Sequence, residues 1–304
     1  MYFPVSGIEV FPLIPVAVAF VISFFCSMGG VSGAFLLLPF QVSFLGFTSP
    51  AVSPTNHVYN VVSTPGGVWR FMREGRMLWP LALVVALGSV PGTLAGSIIR
   101  VTCLPDVHTF KIFAACVLMY IGLSMIWSLA GGRKKSVPQP GAPAPASAKT
   151  DTPYTVHMRE FSLNTISYDF KGDVYSASTK GVFLLCFIVG IVGGAYGIGG
   201  GAIIAPFLVS FFRLPVYTIA GTTLLGNFLT SLSGLLFFLG LSFFFPGEPI
   251  APDWSLGLLF GLGGLLGIYC GARAQRFVPE LYIRILLALI LVGTAARYAL
   301  EALG

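Results

Sequence analysis

The sequence has few charged residues. Only 9% of its 304 residues are Asp, Glu, Lys or Arg, whereas 56% are hydrophobic and the mean hydropathy is +0.88. Soluble domains usually carry about a quarter charged residues, so this composition excludes an ordinary soluble protein. Several apolar runs approach or exceed the roughly 20 residues that a helix needs to cross hydrocarbon, namely 78–99, 110–130, 216–245 and 255–271. The chain is therefore predicted to be an all-α integral membrane protein.

The sequence also lacks the residue patterns of common catalytic and metal sites. Its five cysteines form no CxxC pair and no Cys/His cluster, and its three histidines lie in unrelated regions. There is no HExxH, GxSxG or Walker loop, and no Asp or Glu falls in the middle of a predicted span. We expect no enzyme activity, no metal and no cofactor. The net charge of +6 comes from basic residues between the spans, where membrane topology explains it, so no nucleic acid partner is expected.

The sequence contains an internal repeat. Residues 28–44 and 195–211 are similar, and Pro39 and Pro206 are 167 positions apart (206 − 39). The same spacing relates a set of polar and small residues, namely Gly30 to Gly197, Gly33 to Gly200, Thr55 to Thr222, Asn60 to Asn227, and Ser63-Thr64 to Thr230-Ser231. Further along, a spacing of 175 relates Gly88, Gly92 and Gly96 to Gly263, Gly267 and Gly271. Small residues at every fourth position let helices pack closely.

The repeat defines three regions. The first transmembrane repeat covers 1–130 and the second covers 181–304, with a linker at 131–180 between them. The linker begins with basic residues and a Pro/Ala run, which is typical of a flexible tether. Polar and apolar side chains alternate over 154–178, and this pattern predicts a small β-hairpin outside the membrane.

The basic residues indicate how the two repeats are oriented. In the first repeat Arg70, Arg73 and Arg76 follow the second element, whereas the equivalent loop at 245–253 has no Lys or Arg. Because basic loops lie on the cytoplasmic side, the two repeats are predicted to be inverted. Each would consist of a helix hairpin broken at its glycines, at 12–47 and 181–212, followed by three spans. The linker would be cytoplasmic, and Arg100 would lie on the outer side.

The doubled pattern of a glycine-rich break, a proline and a span with Thr and Asn resembles the sulfite exporter TauE/SafE family of membrane transporters. The likeness is strongest in the second repeat, at Gly197, Gly199, Gly200, Gly201, Pro206, Gly221, Thr222, Thr223 and Asn227. The first repeat departs from it, with Ser32 and Ala34 in place of Gly199 and Gly201. The resemblance implies transport of sulfite, sulfonates or related small anions across the plasma membrane.

The glycine breaks are the first candidate binding residues. A helix that begins after a break points unpaired N–H groups, with a partial positive charge, at whatever lies before it, and an anion suits that position. The residues concerned are Gly30, Ser32, Gly33, Gly199, Gly200 and Gly201. The alternative is that these glycines only permit tight helix crossing.

Polar side chains in the following spans complete the predicted site. They are Asn60, Ser63, Thr64, Thr222, Thr223, Asn227, Thr230 and Ser231, which could hold anion oxygens or could simply bond between helices. His57 has Leu224 as its counterpart and could contact the anion, take up a proton or only pack. These features predict a secondary transporter that moves a small anion by alternating access, with lipid around it and a coupling ion that is left open, the proton included. The alternative is a membrane subunit or sensor that docks a partner through the linker.

Overall fold

The computed structural model describes residues 1–29, 31–130, 156–244, 250–278 and 280–303. Over these residues the protein is a helical bundle with two small antiparallel sheets. Five of the described helices contain a stretch that is long and apolar enough to cross a membrane: Trp79–Thr102, Val107–Ser124, Thr179–Tyr196, Val216–Phe244 and Trp254–Ala274. The prediction of an all-α membrane protein is confirmed.

The first half of the chain folds into five helices after a short hairpin of β1 (Tyr2–Phe3) and β2 (Ile8–Glu9). Two short helices are separated by a break, and three longer helices follow. They are α1 (Leu13–Met28), α2 (Ala34–Ser43), α3 (Val52–Arg73), α4 (Trp79–Thr102) and α5 (Val107–Ala130).

The second half repeats this order. Its break contains a single 3-10 turn, Gly200–Ile203, which leads into a short helix. The five helices are α6 (Thr179–Tyr196), α7 (Ile204–Phe212), α8 (Val216–Phe244), α9 (Trp254–Ala274) and α10 (Glu280–Leu303).

Helix α3 has the length of a span but not its composition. It has 22 residues, yet it is too polar to count among the five apolar helices. Its polar side chains are buried inside the protein, including Asn56, His57, Asn60, Ser63 and Thr64. Because α3 packs against α8 and α9 and these side chains are buried, α3 can lie inside the bundle despite its polarity.

The first helix of each half packs against the fourth helix of the other half. On α4, a side chain at any of three glycines would collide with a backbone carbonyl oxygen of α6. The contacts are Gly88 with Phe183, Gly92 with Phe187 and Gly96 with Ile191. Glycine is needed at these positions because the two backbones touch.

The equivalent interface joins α9 to α1. Here Gly263 meets the carbonyl of Val16, Gly267 that of Phe20, and Gly271 that of Phe24. Each α1 carbonyl lies 167 positions before its α6 counterpart, for example 183 − 16. The two interfaces therefore match residue by residue.

The contacts also give the directions of the helices. Residue numbers rise together along α4 and α6, along α1 and α9, and along α3 and α9, so each of these pairs is parallel. The numbers run oppositely where α3 crosses α8, since Gly67 meets Leu224 whereas Gly234 meets His57. On α4 and α8 they rise together again, with Leu78 near Thr222 and Val85 near Gly226. Among the equivalent helices, α1 and α6, α3 and α8, and α4 and α9 thus run in opposite directions, as inverted repeats would. The orientation of either half in a membrane stays a prediction.

The described part of the alternating stretch, 156–178, forms one strand more than the predicted hairpin. Strands β3 (His157–Phe161), β4 (Thr165–Phe170) and β5 (Asp173–Ser178) make an antiparallel sheet with β4 in the middle. The Tyr168 hydroxyl lies 2.8 Å from the Thr218 hydroxyl, and the backbone N–H of Val156 donates to the carbonyl of Gly75. This sheet therefore contacts both the α3–α4 turn and the start of α8.

The hairpin of β1 and β2 contacts the start of α9. The Asp253 carboxylate accepts hydrogen bonds from the backbone N–H and the hydroxyl of Ser6, at 3.1 and 3.0 Å. The same carboxylate accepts the N–H of Leu256 and so caps α9. Each small β element thus precedes the first helix of one half and contacts the other half, the hairpin at the start of α9 and the three-stranded sheet at the turn before α4.

Arg100, which the predicted topology places on the outer side, is a buried residue. Its side chain is 1% exposed and its guanidinium lies 4.1 Å from the ring centroid of Phe110. It donates to the carbonyl of Leu104 and to the hydroxyl of Ser53. A cation at this point is favourable because it lies beside the C-terminal carbonyls of α4.

Candidate functional site

The two glycine breaks meet in the interior of the protein. The backbone N–H of Ser32 in the first break donates to the carbonyl of Ala202 in the second, at 3.3 Å. The side-chain amide of Asn60 donates to the carbonyl of Ile198 at 2.8 Å. Gly30, which was predicted to be part of the first break, lies outside the described residues. The meeting of the breaks brings together the other predicted binding glycines.

The first break is closed by a hydroxyl network. Ser32 Oγ donates to Asn60 Oδ1 at 2.5 Å, and the Tyr59 hydroxyl lies 2.7 Å from Ser23 Oγ. A side chain at Gly33 would lie 3.0 Å from Ser23 Oγ and closer still to the Tyr59 hydroxyl. These two hydroxyls approach so closely that position 33 requires a glycine.

The second break depends on backbone conformations that favour glycine. Gly197 and Gly199 have φ angles of +81° and +83°, in the left-handed region. The N–H groups that follow are met by threonine hydroxyls, since Gly200 donates to Thr93 at 3.0 Å and Gly201 to Thr230 at 3.3 Å. Two amides of the break thus bond to side chains, one from α4 and one from α8.

Three polar side chains of α8, Asn227, Thr230 and Ser231, face Gly199 and form what we call the polar wall. A side chain on Gly199 would lie 2.8 Å from Ser231 Oγ, 3.2 Å from Thr230 Oγ1 and 3.4 Å from Asn227 Oδ1. The amide oxygen and nitrogen of Asn227 and the hydroxyl of Ser231 have no hydrogen-bond partner among the described residues. All three side chains are fully buried. Buried polar groups normally have partners, so these unpaired groups suit a polar ligand.

The α3 side of the site has unpaired groups too. Ser63 Oγ is buried without a partner, and so are both ring nitrogens of His57. His57 lies one helical turn before Asn60, and its ring lies over Gly234 with the Phe238 ring centroid 5.7 Å away. Since Leu224 is its counterpart, His57 makes the two sides of the site different.

Three predicted binding residues are engaged elsewhere. Thr64 Oγ1 donates to the carbonyl of Asn60 at 2.7 Å. Thr223 bonds the carbonyls of its own helix, and Thr222 Oγ1 lies 3.4 Å from the carbonyl of Leu78 at the start of α4. Thr222 and Thr223 therefore lie more than one turn of α8 away from the polar wall.

Thr93 is a site residue that sequence reasoning missed. It lies on α4 next to Gly92, and its hydroxyl accepts the N–H of Gly200. At the repeat spacing of 175 its counterpart is Ile268, which is apolar. The repeat pattern therefore gave no signal for Thr93.

The assembled site offers neutral hydrogen-bond donors and acceptors. The Asn227 amide and the Ser231 hydroxyl are its unpaired groups, and they lie beside the second break, whose Gly200 and Gly201 N–H groups are bonded to Thr93 and Thr230. Such groups can solvate an oxyanion without a formal positive charge. The arrangement is suited to binding a small polar solute between the two halves.

Comparison with known proteins agrees with this architecture. The family model described as sulfite exporter TauE/SafE matches residues 15–298. YunE of Bacillus subtilis strain 168, described as a probable membrane transporter protein, is 26% identical over 212 residues, which are 68% of this chain and 67% of YunE. YdhB of the same organism, described in the same words, is 32% identical over 98 residues, which are 32% of this chain and 37% of YdhB.

The match to YdhB thus spans little more than a third of that protein. No solved structure matches the chain significantly. The family match, by contrast, covers nearly the whole chain and includes both glycine breaks. The protein therefore belongs to the sulfite exporter TauE/SafE family of membrane transporters.

Proposed function

We propose that this protein is a secondary transporter that carries a small oxyanion of sulfur, such as sulfite or a sulfonate, by alternating access. The observation that carries the proposal is the set of unpaired polar groups of Asn227 and Ser231, fully buried where the two breaks meet. The family is named for sulfite export, and its members' described role is membrane transport.

The geometry favours an oxyanion over an apolar solute. A sulfonate or sulfite group presents three oxygens, and the polar wall presents the Asn227 amide and the Ser231 hydroxyl as free donors. Helix α7 begins shortly after Gly200 and Gly201, and the partial positive charge at its N-terminus adds to this preference for an anion. In a buried site these weak dipoles act in a low dielectric, where they bind an anion more strongly than in water.

The cellular setting is part of the same proposal. The basic residues Arg70, Arg73 and Arg76 at the end of α3 favour a cytoplasmic position for the α3–α4 turn. The sheet of β3, β4 and β5 contacts this turn and would be cytoplasmic with it. We place the protein in the plasma membrane, with the hairpin of β1 and β2 on the outer side.

The test is anion flux into liposomes that contain only the purified protein. Labelled sulfite, thiosulfate and methanesulfonate are supplied outside, and uptake of at least one above that of empty liposomes is expected. Ser231→Ala should lower this uptake about tenfold, because one donor to a buried anion contributes on the order of 1.5 kcal/mol. Ser233→Ala is the matched control, since Ser233 Oγ bonds to Leu229 of its own helix.

Two results would contradict the proposal. One is uptake at the empty-liposome level for all three anions, which a docking subunit without transport activity would give. The other is equal loss of uptake in Ser231→Ala and Ser233→Ala. Melting temperatures of both variants show whether each protein is folded.

A further inference from the structure

Charge is missing where the anion would bind. Helix α8 contains no Asp, Glu, Lys or Arg between Val216 and Phe244, and neither does α2 between Ala34 and Ser43. The arginines of α3, Arg70 and Arg73, lie in its last turn, and Arg273 lies in the last turn of α9. The two buried arginines are already bonded, Arg76 to Tyr217 and Gln275, and Arg100 to Leu104 and Ser53. Among the described residues, no cationic side chain hydrogen-bonds to Asn227 or Ser231, so an anion at the polar wall has mainly dipoles around it. Moving an unpaired charge out of water costs several kcal/mol, which dipoles offset only in part.

His57 is placed to supply that charge. It lies on α3 one turn before Asn60, and it lies over Gly234, which is one turn after Ser231 on α8. A side chain at position 234 would come within 2.7 Å of His57 Nε2, so glycine there makes room for the ring. The imidazole is thus within about one helical turn, roughly 5 Å along the axis, of the polar wall.

The environment of His57 is unusual for a residue that only packs. A buried histidine normally bonds through at least one nitrogen, yet both nitrogens of His57 are unpaired and its side chain is fully buried. The counterpart Leu224 shows that an aliphatic side chain fills this place in the other half. The unpaired nitrogens point to a ligand or a proton that is bound during part of the cycle.

We propose that His57 takes up one proton when the anion binds, so that the protein carries one proton with each anion. This inference rests on the proposed function and adds the coupling ion to it. The proton comes from the solution on the side where the site is open and binds the free imidazole nitrogen. It leaves to the other side with the anion, and the imidazole returns to its neutral form. No bond other than N–H is made or broken.

The surroundings of the ring make the coupling tight. Among the described residues, the titratable groups on the elements packed nearby are Tyr59, Arg70 and Arg73 on α3, Tyr217 at the far start of α8, and Tyr269, Cys270 and Arg273 on α9. Asp253 lies near Thr55, but its carboxylate is held by Ser6 and Leu256. Because no carboxylate of the described residues bonds to the imidazole, a charged ring has the bound anion as its counter-ion. Proton and anion therefore stabilise each other, and either alone is unfavourable.

The experiment measures protons and anions in the same liposomes. A pH-sensitive dye is enclosed, and methanesulfonate or thiosulfate is supplied outside, because neither anion takes up a proton itself near neutral pH. The wild-type protein should acidify the interior by one proton per anion, and uptake should fall as the external pH rises through the neutral range. His57→Gln should abolish proton movement, lower anion uptake at least tenfold and remove its pH dependence.

The controls separate this inference from the proposed function. His108→Gln, which removes an exposed histidine at the start of α5, should keep both fluxes. If His57→Gln does not fold, His57→Leu, which introduces the residue of the other half, takes its place. Anion uptake by the wild type without proton movement would overturn this inference alone, and so would proton movement that persists in the His57 variants. Absence of anion uptake by the wild type would overturn the proposed function and this inference with it.

Discussion

The side-chain amide of Asn60 donates a hydrogen bond of 2.8 Å to the carbonyl of Ile198, so a residue of the first half holds the glycine break of the second. Its counterpart in the second half, Asn227, makes no such bond, and both polar atoms of its amide are unpaired. Two identical residues at equivalent positions therefore differ in their hydrogen bonds. Asn60 bonds to both breaks, and we propose that the unpaired Asn227 serves a ligand.

This division predicts opposite effects of the same substitution. Asn60→Ala should destabilise the protein by about 1–3 kcal/mol, because it leaves the Ile198 carbonyl and the Ser32 hydroxyl with unmet hydrogen bonds. Asn227→Ala should leave the melting temperature unchanged or slightly raised, while anion uptake falls more than tenfold. Thermal unfolding and liposome uptake of both variants check this. Equal loss of stability in the two would show that Asn227 is structural.

The close contact between α1 and α9 predicts a strict requirement for glycine. Gly267→Ala places a methyl group against the backbone carbonyl of Phe20, and we expect a loss of about 1–3 kcal/mol because two backbones must separate. Gly92→Ala should have a similar effect, since Gly92 meets the equivalent carbonyl of Phe187.

The control is Gly240→Ala on α8, where an added methyl group has no neighbour within 4 Å. Its stability should be unchanged or higher, since alanine favours a helix over glycine by up to about 1 kcal/mol. Thermal melting in detergent compares the three variants. A similar loss in Gly240→Ala would mean that the contact between the two backbones does not set the cost.

The docking of the three-stranded sheet should depend on pH in the alkaline range. Burial raises the pKa of the Tyr168 phenol above its ordinary value, and the phenol bonds to Thr218. A raised pKa means that the docked sheet favours the neutral phenol, so docking is fully stable below pH about 10 and weakens above it. Spin labels at the exposed positions Leu163 and Trp79 should move apart above that pH. Tyr168→Phe should lack this alkaline step, and its persistence there would assign the step to another group.

The interleaved helices predict which parts move during transport. Parallel contacts join α1, α3 and α9 into one group and α4, α6 and α8 into another, and each group contains helices of both halves. We expect these groups, and not the sequence halves, to move relative to each other across the α3–α8 crossing. Labels at Val21 and Leu262 should keep their distance when thiosulfate is added, and so should labels at Leu87 and Leu184. The distance between Leu262 and Leu87 should change.

All four labelled positions are exposed on the surface of the bundle. The experiment needs a background without the five native cysteines, whose flux must first match that of the wild type. A changing distance between Val21 and Leu262 would indicate instead that the sequence halves rock as whole units.

The sequence predicted much of this fold because duplication repeats unusual residues. Glycine, proline and asparagine at a fixed spacing located both breaks and the polar helices after them. Glycine at every fourth position identified the close-packing faces of α4 and α9. It could not identify their partners, since the spacing of Gly88, Gly92 and Gly96 describes one face and carries no information on which helix meets it. Only the three-dimensional structure shows that the first helix of each half packs against the fourth helix of the other half.

Other features of the site depend on contacts between residues that are far apart in the sequence. Asn60 and Asn227 occupy equivalent positions of the repeat, yet Asn60 bonds to Ile198, which lies 138 residues away in the chain. Thr93 joins the site because α4 packs on α6, although its counterpart is apolar. Similarly, Arg100 resembles an exposed loop residue until Phe110 and Leu104 fold over it.

The contact between α1 and α9 has a consequence for how the protein is made. Gly263 is synthesised 247 residues after Val16 (263 − 16), so α1 enters the bilayer long before the surface it packs against has left the ribosome. Nascent domains usually fold in order from the N-terminus. Here α1 can pack only after α9, the last helix but one, has been synthesised. A chain that stops after α5 should therefore be inserted yet remain without its packing partner. Two fragments, divided in the linker and expressed together, should be able to complete each other.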